Sequence, residues 1–180
     1  MKATEKEYQE VLNAGKFVLF LLIAFVALNL FTSLFPPLFF ESITGQTNSA
    51  LLNGMGISNQ FQIGETVLIQ LTKGPTIVIN DLCTGILEAI VLLAAILATF
   101  EIYWKKRIVG VIAAIIGIFI FNQIRILVTT LFILNAPLEI VVLSHDVLFR
   151  LFLFIVIAVF YGAWLWWSYN KFKNRKKSKK

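Results

Sequence analysis

Residues 17–35 read FVLFLLIAFVALNLFTSLF, an unbroken apolar run without a single charge, stopped by Pro36-Pro37. At 1.5 Å per residue a helix over this run covers about 28 Å, close to the ~30 Å of hydrocarbon in a bilayer. The rest of the chain has the same character. Of its 180 residues 58% are hydrophobic and the mean hydropathy is +0.83. That is more apolar surface than a soluble domain of this size can bury, so the solvent implied is lipid. A cleavable signal peptide would need a basic leader and a small-x-small site. Here Glu5, Glu7 and Glu10 precede the run and no such site follows it, so it reads as a retained anchor.

Three more apolar runs lie downstream, at residues 83–103, 108–134 and 147–167. The third span, 108–134, is about seven residues longer than a crossing needs and should tilt or emerge on one side. The expected fold class is an all-α polytopic membrane protein of about four transmembrane helices. Its orientation follows from the cations. Lys2, Lys6 and Lys16 lie in the N-terminal segment 1–16, Lys105-Lys106-Arg107 in the short loop 104–107, and seven Lys and Arg in the tail 168–180, whereas the loop 36–82 holds only Lys73. With four spans all three basic clusters fall on one face, which places both termini in the cytoplasm. Trp164, Trp166, Trp167 and Tyr169 then suit the inner interface. A net charge of +6 and a pI near 9.6 are explained by this topology rather than by nucleic-acid binding.

The first outer loop, 36–82, divides by composition. ESITGQTNSALLNGMG is rich in Gly, Ser and Asn and reads as irregular, while ETVLIQLT and PTIVIN flank Lys73-Gly74 as a small β-hairpin, the alternative being an extended segment on the membrane surface. Pro75 puts the second run at a sheet edge.

Against this topology a few polar residues stand out. The only cysteine, Cys83, sits in INDLCTGILE (residues 79–88), where the loop meets the second span. If Asp81 is the N-cap, Cys83 falls in the first helical turn, where the helix dipole favours a thiolate and Asp81 opposes it. The bland reading is a small buried apolar side chain. Arg125, in FIFNQIRILVTTLF, lies about 26 Å along the third span from Ile108, within roughly a turn of the outer hydrocarbon edge. An arginine there costs about 2.5–3.5 kcal/mol to insert and needs a partner or a task. Asn122, Arg125 and Thr129 share one helix face. The structural alternative pairs Arg125 with Glu88, five residues past Cys83. His145 lies in the outer loop 135–146, just ahead of the fourth span; Arg150 follows Asp146 by four and either pairs with it or snorkels. A single cysteine allows no internal disulfide, and one Cys with one His argues against a metal site; no cofactor is expected.

The joint placement carries the functional reading. The only Cys, the only His and the deeply placed Arg come from three spans and all fall at outer ends. A thiolate that attacks a carbonyl, an imidazole that relays the proton and a guanidinium that stabilises the oxyanion make a workable acyl-transfer set. Arg suits the last role because it keeps its charge when buried. The competing function is a non-enzymatic transporter or assembly subunit in which Glu88–Arg125 is a structural ion pair.

Cys83-Thr84-Gly85, then Asn122-x-x-Arg125, then His145, in this order on successive spans, resembles the exosortase/archaeosortase family of membrane cysteine transpeptidases, over roughly Gly64 to Tyr161. The resemblance implies that Cys83 is the nucleophile, Arg125 the transition-state stabiliser and His145 the general base and acid, with Glu88 and Asn122 in support. The family's third position also accepts Arg, so Arg150 is a minor contender. The implied substrate is an exported protein ending in a short motif, a transmembrane helix and a basic tail, cut near the motif and passed to a surface acceptor, a lipid in the archaeal case. The implied location is a prokaryotic cell membrane with the site facing outward. A substrate helix would pack on small-residue faces such as Gly110, Ala113, Ala114 and Gly117. The residues leave hydrolysis and transfer equally open.

Overall fold

The computed structural model describes residues 2–135 and 149–177. In chain order it contains α1 (Lys2–Thr32), α2 (Phe39–Gly54), β1 (Asn59–Ile63), β2 (Val67–Leu71), β3 (Thr76–Ile79), a 3-10 turn (Asp81–Cys83), α3 (Ile86–Ala98), α4 (Trp104–Asn135) and α5 (Phe149–Lys177). Helices dominate, with one small sheet.

Among the described residues two helices are long and apolar enough to cross a membrane, Glu7–Thr32 within α1 and Trp104–Asn135. Their lipid solvent explains what would be untenable in water: Val18, Leu22, Val26 and Leu30 on α1, and Ile112, Ile116 and Ile120 on α4, are each half exposed or more. Of the other two expected spans, 147–167 falls on the 29-residue α5, and 83–103 is shorter as a helix. α3 has 13 residues, about 20 Å, so the segment 83–103 is regular only in its middle. Among the described side chains of α5, the apolar stretch is Phe154–Asn170.

The chain packs as two units. One combines α1, α3 from Ile90, the first part of α4 and the later part of α5. Leu92, Ala94, Ile96 and Ala114 are fully buried there. The C-terminal end of α3 is closed by Arg107, whose Nε and Nη1 donate to the carbonyls of Ile102 and Leu97 at 3.0 Å, so an orphan helix carbonyl is satisfied by a cation. Gly110 exists for close approach: a Cβ there would collide with Nε1 of Trp164, which donates to the Lys106 carbonyl at 3.2 Å. The small-residue face is therefore partly used within the protein, with Gly110 covered by an indole and Ala114 buried. Ala113 lines a groove of about 280 Å³ with Phe160, Ala163 and Trp167.

The second unit holds α2, the sheet, the 3-10 turn, the start of α3 and α4 from Ile116. Its sheet is antiparallel in the order β1-β2-β3. The expected hairpin is β2–β3, with Val67 opposite Ile79 and Gln70 opposite Thr76. The strand that follows Pro75 is at an edge, as its missing N–H requires. The sheet gains a further strand, β1, in register Asn59 to Leu71. β2 alternates: Val67, Ile69 and Leu71 face the core, while Gln70 is exposed. With Leu52, Ile79 and Ile126 they form one apolar cluster, each side chain contributing roughly 1.5–3 kcal/mol on burial.

The segment expected to be irregular is α2. Its buried positions are Glu41, Thr44, Gly45, Asn48, Ser49 and Leu52, a stripe at helical spacing made almost wholly of polar and small residues. Hydrophobic periodicity cannot find such a face, and its Gly, Ser and Asn have weak helix propensity. Packing overrides that weakness. A Cβ on Gly45 would lie 2.7 Å from Val67 Cγ1 and 2.9 Å from the Phe61 ring. Asn48 donates from Nδ2 to Gln123 Oε1 on α4, and Ser49 Oγ bonds Asn59 Oδ1 on β1 at 2.6 Å. The helix ends in a Schellman motif: Gly56, at φ 81°, donates to Asn53, and Ile57 donates to Leu52.

Candidate active site

Immediately after β3 the chain tightens into Asp81-Leu82-Cys83, with the Cys83 N–H donating to the Asn80 carbonyl at 2.8 Å. Asn80, not Asp81, precedes the turn, and α3 begins only at Ile86. Cys83 is thus presented on a separate 3-10 turn ahead of the helix, where short i→i+3 bonds aim each carbonyl differently from an α-helix. Its side chain is half-buried against the sheet core.

Every carbonyl of this turn is held. The Asp81 carbonyl accepts from Thr84 twice, from N–H at 3.1 Å and from Oγ1–H at 2.6 Å. The Leu82 carbonyl accepts from Arg125 Nη2 at 3.0 Å. The Cys83 carbonyl accepts from Asn122 Nδ2 at 2.7 Å. Asn122 and Arg125 are three residues apart on α4, so one helix face reaches two consecutive carbonyls. Thr129, the third member of that face, turns its hydroxyl back onto the Arg125 carbonyl at 2.8 Å.

The Cys-Thr-Gly triplet has a physical reason at each position. Thr84 Oγ1 also accepts from the Ile86 N–H at 3.3 Å and so serves an orphan donor at the start of α3. Gly85 has φ 74°, and a Cβ on it would sit 3.0 Å from Asn122 Cγ. Only glycine allows both the left-handed backbone and the approach of that amide. Asn122 is fully buried and its Oδ1 has no partner among the described residues.

Arg125 spends one nitrogen on the Leu82 carbonyl; its Nε and Nη1 have no protein acceptor among the described residues. Glu88 is half-buried and forms no ion pair with Arg125. The ion pair of the structural alternative is therefore not formed among the described residues. His145 lies outside the described residues, as does the side chain of Arg150. Three expected site residues, Cys83, Asn122 and Arg125, are brought together by hydrogen bonds to one turn.

A further carboxyl adjoins the turn. Glu41, in the first turn of α2, is 8% exposed. Burial first, and then the neighbouring Asp81 carboxyl, raise its carboxyl above the ordinary 4.5; its own backbone N–H opposes the rise. Nothing in local sequence singles out Glu41, because its neighbour is on another element. Among the described residues no group of three or more His, Cys, Asp and Glu forms a metal-binding cluster.

A half-buried thiol thus sits on a hydrogen-bonded turn whose Leu82 carbonyl is held by a guanidinium, an arrangement compatible with thiol attack on a carbonyl. No characterised relative and no solved structure matches the chain. The family model described as transmembrane exosortase matches residues 9–162, a stretch that includes α2, the sheet, the Cys83 turn and both donors on α4. The chain belongs to the transmembrane exosortase family.

Proposed function

We propose that the protein is a membrane thiol transpeptidase that cuts C-terminal sorting signals from exported proteins and transfers the new C-terminus to a surface acceptor, a lipid by preference. Cys83 is the nucleophile, Arg125 the oxyanion stabiliser and His145 the general base and acid. The observation that carries the reading is the clamp on the Cys83 turn, with Asn122 holding the Cys83 carbonyl and Arg125 the Leu82 carbonyl.

The chemistry balances as acyl transfer. The thiol proton passes to His145 and the sulfur attacks the scissile carbonyl carbon. The carbonyl oxygen becomes an oxyanion, met by the guanidinium. Collapse breaks the C–N bond, His145 returns the proton to the leaving amine, and a thioester remains. An acceptor hydroxyl or amine then attacks the thioester, loses its proton to the imidazole, and frees the thiol. Water in place of the acceptor gives hydrolysis by the same residues. Four spans with both termini cytoplasmic put the turn at the outer interface of a prokaryotic cell membrane. A substrate whose own helix is in the bilayer presents its motif there already oriented. Glu88 and Asn122 act in support, Asn122 through the Cys83 carbonyl.

The test is mass spectrometry of exported-protein C-termini in the native host. With wild-type protein a set of proteins lacks its C-terminal helix and basic tail; with Cys83→Ala or Arg125→Ala the same proteins retain both. Identical C-termini in all strains refute the reading.

A further inference from the structure

α2 is amphipathic, but its inward stripe is the polar one. Glu41, Thr44, Gly45, Asn48 and Ser49 are buried, with Leu52 the one large apolar side chain among them. Asn48 and Ser49 are engaged inside the protein, with Gln123 and Asn59. At about 100° per residue the remaining surface divides lengthwise. Phe39, Phe40, Ile43, Ala50, Leu51 and Gly54 fall in one sector about 120° wide, and Ser42, Gln46 and Asn53 lie beside it. Phe39, Ile43 and Leu51 are 37%, 40% and 43% exposed. Thr47, within the apolar sector, turns its hydroxyl onto the Ile43 carbonyl at 2.8 Å and so is satisfied without water. The exposed surface of α2 carries no charge: its one ionisable side chain, Glu41, is buried, while the exposed Glu65, Lys73 and Asp81 lie in the turns of the sheet and the Cys83 turn. A helix in water puts charges outward and apolar side chains inward. Here that order is inverted, which is stable where the outer solvent is hydrocarbon.

The place of α2 in the chain says which hydrocarbon. α1, long and apolar enough to cross a membrane, ends at Thr32, and residues 33–38 reach roughly 20 Å at full stretch. α2 therefore starts within reach of the bilayer surface where α1 ends. The link continues the apolar surface, since Phe35, Phe39 and Phe40 pack ring on ring with centroids 5.0 to 5.1 Å apart.

We propose that α2 is an interfacial membrane helix: it lies along the bilayer surface at which α1 ends, with the side bearing Phe39, Ile43 and Leu51 among lipid acyl chains and the side bearing Ser42, Gln46 and Asn53 in the headgroup layer. At about 24 Å for 16 residues it is too short to cross. The lengthwise division sets it in the plane of the membrane, its apolar side about 5–10 Å deep. Because α2 packs on the Cys83 turn, the same seat holds that turn at the membrane surface.

The experiment uses the full-length protein with Cys83→Ser, given one new cysteine at a time by Ile43→Cys, Gln46→Cys, Ala50→Cys, Leu51→Cys or Asn53→Cys. Each variant is spin-labelled and reconstituted alone in phosphatidylcholine vesicles. Collision rates are measured with oxygen, which concentrates in hydrocarbon, and with a neutral nickel chelate, which stays in water. Labels replacing Ile43, Ala50 and Leu51 are expected to show an oxygen-to-chelate ratio at least about threefold above those replacing Gln46 and Asn53, with Ile43 and Ala50 at one depth. Equal ratios on the two sides put the whole surface in water and overturn the proposal. Low collision rates with both reagents at Ile43, Ala50 and Leu51 also overturn it: with dipolar broadening between labels the cover is a second copy, and without it another part of the chain. A steep change in depth from Ile43 to Ala50 overturns the in-plane seat. Should one label prevent folding, the others of its side carry the comparison. None of these readouts depends on activity, so the outcome stands apart from the transpeptidase reading, which is judged by whether Cys83→Ala abolishes cleavage.

Discussion

Replacing Gly85 by alanine adds one carbon at the point where the turn, α3 and α4 meet. The backbone there has φ 74°, a conformation that costs an L-residue about 1–2 kcal/mol. The new Cβ would lie 3.0 Å from Asn122 Cγ, 3.2 Å from its Cβ and 3.3 Å from Oδ1, so the amide must move. Moving it endangers the 2.7 Å bond from Nδ2 to the Cys83 carbonyl, and an unmade buried bond costs about 1–3 kcal/mol. The sum is about 2–5 kcal/mol, concentrated on the turn that holds the thiol. Part of it appears as a lower thermal midpoint in detergent. The rest appears in catalysis, where a displacement near 1 Å costs about a hundredfold. The control is Gly54→Ala, at the end of α2, where an added Cβ meets nothing within 4 Å. A doubly substituted protein, Gly85→Ala with Asn122→Ala, separates the two causes: it relieves the contact with the amide but not the backbone strain, so its loss should be less than additive. Cleavage of a tagged substrate in isolated membranes is the assay. Gly85→Ala activity within about twofold of wild type, or a loss no greater than that of Gly54→Ala, would refute the role of Gly85 in shaping the turn.

Arg125→Lys keeps the charge but not the planar fork, so it cannot hold the Leu82 carbonyl and also present separate donors; cleavage should fall at least about tenfold with little change in membrane insertion. Thr84→Val removes both the donor to Asp81 and the acceptor for Ile86 and should cost about 1 kcal/mol in detergent unfolding, whereas Thr84→Ser is nearly neutral. Gly110→Ala drives a carbon into Trp164 Nε1 and should lower thermal stability by about 1–3 kcal/mol; tryptophan emission reports the displaced indole.

Much of the site was legible. Arg125 stands out because an uncompensated cation within an apolar run is expensive, and Cys83 because it is the lone thiol at the boundary of another run. Asn122 follows from its spacing to Arg125. What they touch was not legible. A helix pattern shows that two side chains share a face, but not that the face meets two backbone carbonyls about forty residues upstream. Glu88, the carboxylate on the second apolar run that the structural alternative pairs with Arg125, does not meet it among the described residues, and the structure gives the arginine a carbonyl instead. Thr84 and Gly85 belong to the motif from the start, yet their reasons, a helix cap and a close approach, exist only once α4 is beside them.

The sequence by itself determined the solvent, the family signature and the β2–β3 hairpin, because hydropathy, charge placement and strand alternation act over a few neighbouring residues. The tertiary structure alone decided that ESITGQTNSALLNG is a helix, that it packs against the Cys83 turn, and that Asn48 meets Gln123. Those choices depend on polar groups finding partners across 75 residues for Asn48 and Gln123, and 39 for Asn122 and Cys83. In a buried setting an unpaired polar atom is costly, so pairing selects the fold. No local period encodes which pairs will meet.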